Sequence, residues 1–276
     1  MIKSPLNFIG GKTKLLDQIL PLFPTDIDNF IDLFGGGFNV GINVKAKKII
    51  YYDKMKQLVE FFNYLKISDY KEVLKEIETV INNYKLSKTN QEGFLELRDY
   101  YNKENQDIIL FYVLICYSFN HQIRFNNQGL FNIGFGKNKS EFNNSLKQKL
   151  FVFQQEIKKN NCIFNLLDFK DFDISNLNDN DFVYCDPPYL NSVSTHTENK
   201  GWTTKNEMDL LNLLDSLNNK GIKFALSNNL KYKNELLDKW KDKYVIHYLN
   251  NNYDNCNYHK KEENKTKDLE VLITNY

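Results

Sequence analysis

Asn29-Phe30-Ile31-Asp32-Leu33-Phe34-Gly35-Gly36-Gly37 is an apolar run carried straight into three glycines, the pattern of a buried strand ending in a tight turn. Glycine there lets the backbone approach a ligand closely, because no Cβ stands in the way. Lys47 to Tyr52 reads as a second short strand closed by Asp53, and Phe38 to Lys45 between them as a crossover helix. Such a β-α-β unit opens a parallel sheet with helices on its faces. Asp53 lies about 20 residues beyond Asp32, where an acid commonly accepts from the ribose hydroxyls of a nucleoside cofactor. At this level a structural turn or a dinucleotide fingerprint would explain the glycines almost as well.

Beyond Lys54 the chain changes character. Lys71 to Asn83 and Gln91 to Asn102 carry apolar residues at helical spacing, and Ile108 to Phe119 is apolar all round, as a buried helix would be. Asn120 to Lys139 is a polar, glycine-containing loop or hairpin with interleaved aromatics. Strand candidates resume at Cys162 to Leu167 and Asp181 to Cys185, followed by a helix from Lys205 to Asn219 and a strand at Ile222 to Ser227. Tyr244 to Leu249 and Leu269 to Thr274 add two strands around a polar stretch that reads as a mobile loop. The simplest organisation is one sheet, residues 1–57 with 158–276, interrupted by a mostly helical insert at 58–157.

Composition narrows the function classes. With 276 residues, 42% hydrophobic and 14% aromatic, the chain can bury a real core. The formal net charge is +1, so any nucleic-acid face must be local. Of the 36 basic residues only Arg98 and Arg124 are arginines, so a lysine cluster carries little information. Cys116, Cys162, Cys185 and Cys256 lack any Cys-x-x-Cys spacing, which suggests buried free thiols and no metal site. No charged-then-apolar leader opens the sequence, and its longest apolar run falls short of the roughly 20 residues that span a bilayer. A soluble cytoplasmic protein without membrane contact is expected.

The sharpest chemical signal is Asp186-Pro187-Pro188-Tyr189, set immediately after a strand, where ligands bind in open α/β sheets. Two prolines fix φ and remove two donors, leaving the backbone carbonyls free to accept from a ligand. An aromatic amino group such as adenine's needs such acceptors, since its lone pair is delocalised into the ring. Asp186 and the Pro187 carbonyl can each take one N–H and stabilise the positive charge that grows as the nitrogen attacks a methyl donor. Tyr189 can stack on the base.

The chain resembles the Dam-type DNA adenine methyltransferases, most closely the branch found in T-even phages. The likeness rests on Asn7-Phe8-Ile9-Gly10-Gly11-Lys12, the glycine turn, Tyr84 to Thr89 with Phe94 to Asn102, Arg124 to Lys137, Asp186 to Leu190, and Asp209 to Leu217. It implies an α/β, Rossmann-like sheet dependent on S-adenosylmethionine, with an inserted target-recognition domain, acting by base flipping on double-stranded DNA in a bacterial or phage-infected cell. It also raises a cognate restriction endonuclease as a partner.

Carried over by position, the resemblance places Phe8, Lys12, Asp32, Phe34, Gly35, Gly36, Asp53, Asp168, Phe169 and Asp186 around the cofactor. It makes Arg124 the reader of a guanine, by bidentate contact to O6 and N7. Phe119 and Asn120 fall near the flipped-out base, and Gln122, Asn126, Gly134 and Lys137 along the DNA. Lys139, Lys147 and Lys149 are further phosphate candidates. Gln122 and Gly134 replace the apolar and proline residues that the family uses to read GATC, which leaves GATC favoured on the family match alone. Phe38 stands where many members have another glycine, without an expected loss of cofactor binding.

Competing readings fare less well. A nicotinamide dehydrogenase shares the turn and Asp53 but gives no role to Asp186-Pro187-Pro188-Tyr189. A cytosine C5 methyltransferase needs a cysteine after a proline, and none is present. An N4-cytosine enzyme shares fold and mechanism, although serine more often takes the place of Asp186.

Overall fold

A computed structural model describes residues 1–8, 10–192, 201–250 and 269–276. Ile9, Cys256 and the polar stretch 251–268 lie outside the described residues.

Seven strands form one sheet: β1 Asn29–Asp32, β2 Lys48–Asp53, β3 Cys162–Leu166, β4 Phe182–Cys185, β5 Lys223–Asn229, β6 Val245–Tyr248 and β7 Glu270–Thr274. Their order is β3-β2-β1-β4-β5-β7-β6. The first five in that order run parallel, and β7 enters antiparallel between β5 and β6. This is the α/β, Rossmann-like sheet that the resemblance implies. Phe30, Ile31, Val183 and Tyr184 are buried on both faces of the central pair, which is why these strands read as continuous apolar runs. The reversal of strand order beside β1 creates the crevice in which open α/β sheets bind ligands.

The expected crossover helix at Phe38 to Lys45 does not form; only a single 3₁₀ turn, Gly41–Asn43, is present. Phe38 adopts φ 59°, a left-handed conformation that breaks a helix at its start, and its ring is fully buried against Tyr51 and Phe164. Asn39 and Asn43 then spend their side chains on the amino-terminal segment, accepting from the Ser4 and Ile2 backbone N–H groups at 3.0 and 2.8 Å. Tertiary demands override local propensity here.

Between β2 and β3 lie α2 Lys56–Ile67, α3 Tyr70–Asn83, α4 Gln91–Lys103, α5 Ile108–Tyr117 and α6 Asn144–Lys159, after the short α1 Leu16–Ile19. Asp69, Asn90, Asp107 and Asn143 cap four of them, each side chain accepting from a first-turn backbone N–H. α5 is buried from Ile109 to Tyr117, as its unbroken apolar run implies. α2 packs on the sheet, with the Phe62 ring against Tyr51 and Phe164 and Asn63 donating to the Phe164 carbonyl at 3.0 Å. One continuous core therefore joins sheet and helices. α7 Thr204–Asn219 and α8 Glu235–Trp240 cover a second cluster on β4, β5 and β7. Cys116, Cys162 and Cys185 are buried free thiols. Among the described residues no helix is long and apolar enough to cross a membrane.

Candidate active site

The carboxyl ends of β1, β2, β3 and β4 open onto one cavity of about 230 Å³. Phe8, Lys12, Asp32, Phe34, Gly35, Gly36, Asp53, Asp168, Phe169 and Asp186 all line it, together with Pro187, Pro188 and Tyr189. The folded chain thus brings together every residue that the sequence assigned to cofactor or chemistry.

The glycine turn is clamped from both sides. Gly35 N–H donates to the Tyr52 carbonyl at 2.9 Å, Gly36 N–H donates to Asp53 Oδ2 at 2.9 Å, and the Tyr51 hydroxyl donates to the Gly36 carbonyl at 3.0 Å. A Cβ at Gly35 would stand 2.1 Å from the Tyr51 ring, and one at Gly36, where φ is +46°, 3.0 Å from Phe8. The turn is glycine because two aromatic rings occupy the space a side chain would need. Asp53 also accepts from Met55 N–H at 2.8 Å, so it shapes the turn as well as facing the cavity.

Five acids line the site: Asp32, Asp53, Asp168, Asp186 and Glu270. Asp32 is buried, its Oδ2 has no hydrogen-bond partner, and burial followed by the nearby Asp186 charge pushes its carboxyl up to about 8. Burial also raises the Asp186 carboxyl, against the pull of Lys12. The buried Lys12 ammonium lies 2.7 Å from Asp186 Oδ1 and 2.8 Å from Oδ2, and donates to the Gly10 carbonyl at 2.9 Å. Asp168 caps a short 3₁₀ turn by accepting from Lys170 N–H at 3.1 Å, while Phe169 packs on Phe34.

Glu270, at the start of β7, escaped the sequence reading. Its Oε2 accepts from the Tyr189 hydroxyl at 3.0 Å, and its Oε1 from Asn229 Nδ2 at 3.0 Å. A parallel strand would deliver its last residue to this rim; β7, reversed, delivers its first. Nothing local marks that topology in the sequence. Trp202, on the cavity wall, was missed too, although one of only two tryptophans placed shortly after Asp186-Pro187-Pro188-Tyr189 was a usable signal.

None of the residues assigned to DNA lines the cavity; they lie on a loop held by isolated bridges between Ser118 and Phe135 and between Phe125 and Phe131. Phe119, Asn120, Arg124, Gly134 and Lys137 are exposed; Gln122 and Asn126 are half-buried. Asn120 and His121 have φ of 54° and 53°, and the Asn120 carbonyl accepts from Asn7 Nδ2 at 2.8 Å, tying the loop to the segment that carries Phe8. Arg124 Nε donates to Asn132 Oδ1 at 2.9 Å and Nη2 to the Asn132 carbonyl at 3.1 Å. Asn126 Oδ1 accepts from Gln128 and Leu130 N–H, so this side chain shapes the loop tip. Gly134 has open space where a Cβ would be, and its carbonyl accepts from Phe119 N–H. Lys147 is paired with Glu78 at 2.7 Å.

A family model for D12 class N6 adenine-specific DNA methyltransferases matches residues 8–255. The chain belongs to this D12 family. It is 48% identical over 282 residues to the type II methyltransferase M.FokI of Planomicrobium okeanokoites, covering all of this chain and 43% of that protein. It is 44% identical over 284 residues to the modification methylase StsI of Streptococcus sanguinis, again over all of this chain and 43% of the relative. Against the DNA adenine methylase of Escherichia coli K12 the identity is 25% over 255 residues, 88% of this chain and 86% of the relative. The D12 chain thus spans less than half the length of the first two relatives. D12 methyltransferases depend on S-adenosylmethionine. The D12 site suits that cationic nucleoside: a glycine cradle, an unpartnered buried carboxylate oxygen on Asp32, and the Phe34–Phe169 aromatic pair.

Proposed function

We propose that the chain transfers a methyl group to N6 of adenine in double-stranded DNA, on a base flipped into the cavity. The observation that carries this reading is that Asp186, Pro187 and Tyr189 line the same cavity as the glycine turn and Asp53. S-adenosylmethionine supplies an electrophilic methyl group when bound. Asp186 accepts one adenine N–H and the Pro187 carbonyl the other, while Tyr189, steadied by Glu270, lies against the ring. Lys12 keeps its hold on one Asp186 oxygen as the amino group takes the other. Positioning and charge stabilisation do most of the work, since the nitrogen becomes acidic only once methylated.

Residues 1–57 and 158–276 form the catalytic part in this reading, and 58–157 the recognition part. Arg124 reads a guanine, with Phe119 and Asn120 beside the flipped base and Gln122, Asn126, Gly134 and Lys137 along the duplex. Identities of 48% and 44% to type II modification enzymes, against 25% to Dam, favour a restriction-modification role with a cognate endonuclease over the T-even phage branch. GATC stands as one short site to test. The same relatives support action in the cytoplasm of a bacterial cell. The N6 adenine-specific family match disfavours N4-cytosine as the target.

The test is expression in a host lacking adenine methylation, followed by sequencing of modified bases. N6-methyladenine within one short motif is expected; methylation of cytosine alone overturns the reading. N6-methyladenine outside GATC replaces the site and leaves the chemistry intact.

A further inference from the structure

Trp202 lies on the cavity wall, where its indole packs at 5.3 Å between ring centroids against Phe169 and at 5.7 Å, edge-on, against Phe34. Phe34 follows β1 and Phe169 follows β3, the two strands that flank β2 and its terminal Asp53. The three rings therefore pack together on one part of the cavity wall.

The indole is held by a buried acid that the chemistry described above does not use. Glu207, in the first turn of α7 and 1% exposed, accepts from Trp202 Nε1 through Oε2 and from Asn234 Nδ2 through Oε1 at 2.7 Å. Asn234 is fixed in turn as the cap of α8, its Oδ1 accepting from Leu237 N–H at 3.1 Å. Burying a carboxylate is costly unless its lone pairs are satisfied, and burial raises the Glu207 carboxyl. Here the acid joins two donors from separate segments, and one of them is the wall of the cavity.

We propose that Trp202 is a cofactor-binding residue that packs on the adenine of S-adenosylmethionine beside Phe34 and Phe169, and that Glu207 is the positioning residue that fixes its indole. This rests on the methyl-donor assignment above and extends it to residues that the sequence resemblance did not supply. Aromatic packing on a base is worth roughly tenfold in affinity.

S-adenosylhomocysteine, the demethylated product, provides a binding test independent of turnover. Trp240 packs instead on Phe224 and Tyr244, with its Nε1 donating to Asp215, so it serves as a built-in control. Saturating S-adenosylhomocysteine should change the tryptophan emission of the full chain, and Trp202→Phe should lose that response while folding normally by circular dichroism. By calorimetry, Trp202→Ala should weaken S-adenosylhomocysteine about tenfold. Glu207→Gln, which removes one of two acceptors, should weaken it severalfold, with Trp202→Phe falling between wild type and Trp202→Ala. If the wild type binds S-adenosylhomocysteine and Trp202→Phe and Trp202→Ala bind it equally well, the inference fails while the methyl-donor assignment stands. Failure of the wild type to bind at all overturns both.

Discussion

At the rim of the sheet, Asp32, Asp53 and Asp186 end or follow three adjacent parallel strands, and backbone ladders fix their positions. Residues 118–139 keep their shape by other means: two isolated bridges, the Arg124–Asn132 contacts and the Asn126 turn. The rim is deep, clamped by aromatic rings and crowded with carboxylates. The loop is largely exposed or half-buried and is held by scattered backbone and side-chain hydrogen bonds in place of a continuous ladder. In the reading proposed above, the chemistry sits on the part that cannot move without unfolding the sheet, and selectivity on the exposed residues of the loop, where a substitution leaves the core untouched.

Asp186→Ala probes the rim most severely. Loss of one charge-stabilising acceptor should lower methyl transfer by about 10²–10³-fold, with duplex binding retained in gel-shift assays; an active variant would sink the assigned role. Gly35→Ala forces a Cβ to 2.1 Å from the buried Tyr51 ring. It should cost about 1–3 kcal/mol in denaturant unfolding and weaken S-adenosylhomocysteine, whereas wild-type affinity would show that the turn gives way easily.

Arg124→Ala tests the loop. It should remove about 1–3 kcal/mol of discrimination at one base pair while leaving S-adenosylhomocysteine affinity unchanged. A uniform loss across all sequences would instead make Arg124 a phosphate contact.

A subtler effect comes from Asp32. Its folded value of about 8 exceeds the ordinary 3.8. Between those values the folded chain holds a proton that the unfolded chain has lost, so the free protein loses stability as pH rises through this window and levels off above about 8. A bound sulfonium favours the carboxylate, so S-adenosylmethionine binding at pH 7 should release protons, read by calorimetry in buffers of different ionisation enthalpy. Asp32→Asn should abolish the release. The smallest change is expected for Lys147→Ala: removing the partly exposed pair with Glu78 should alter stability by less than about 1 kcal/mol and leave the salt dependence of DNA binding unchanged.

The same contrast explains what was legible in the sequence. Apolar runs with terminal acids marked β1, β2 and β4, because strands buried on both faces admit little else. Apolar residues at helical spacing marked Lys71 to Asn83 and Gln91 to Asn102, and the unbroken apolar run marked α5. Phe38 to Lys45 was misread because its apolar spacing suits a helix, while the left-handed Phe38 and the pinned asparagines answer to residues far away in sequence. The pairing of Lys147 with Glu78 joins residues far apart in sequence and is visible only in the fold. Glu270 and Trp202 gain meaning from sheet order and from rings contributed by other strands.

The reversed strand β7 ties accuracy of folding to accuracy of catalysis. Glu270 meets Tyr189 because it pairs with Asn229 in the β5–β7 ladder. A slip of one residue would leave a strand of similar length and hydrophobicity, but turn the acid to the opposite face and bring Leu269 or Val271 toward the tyrosine. Such a molecule would keep most of its secondary structure yet present an unsupported tyrosine to the base. A misregistered β7 would thus be visible as a kinetic defect before it was visible in circular dichroism.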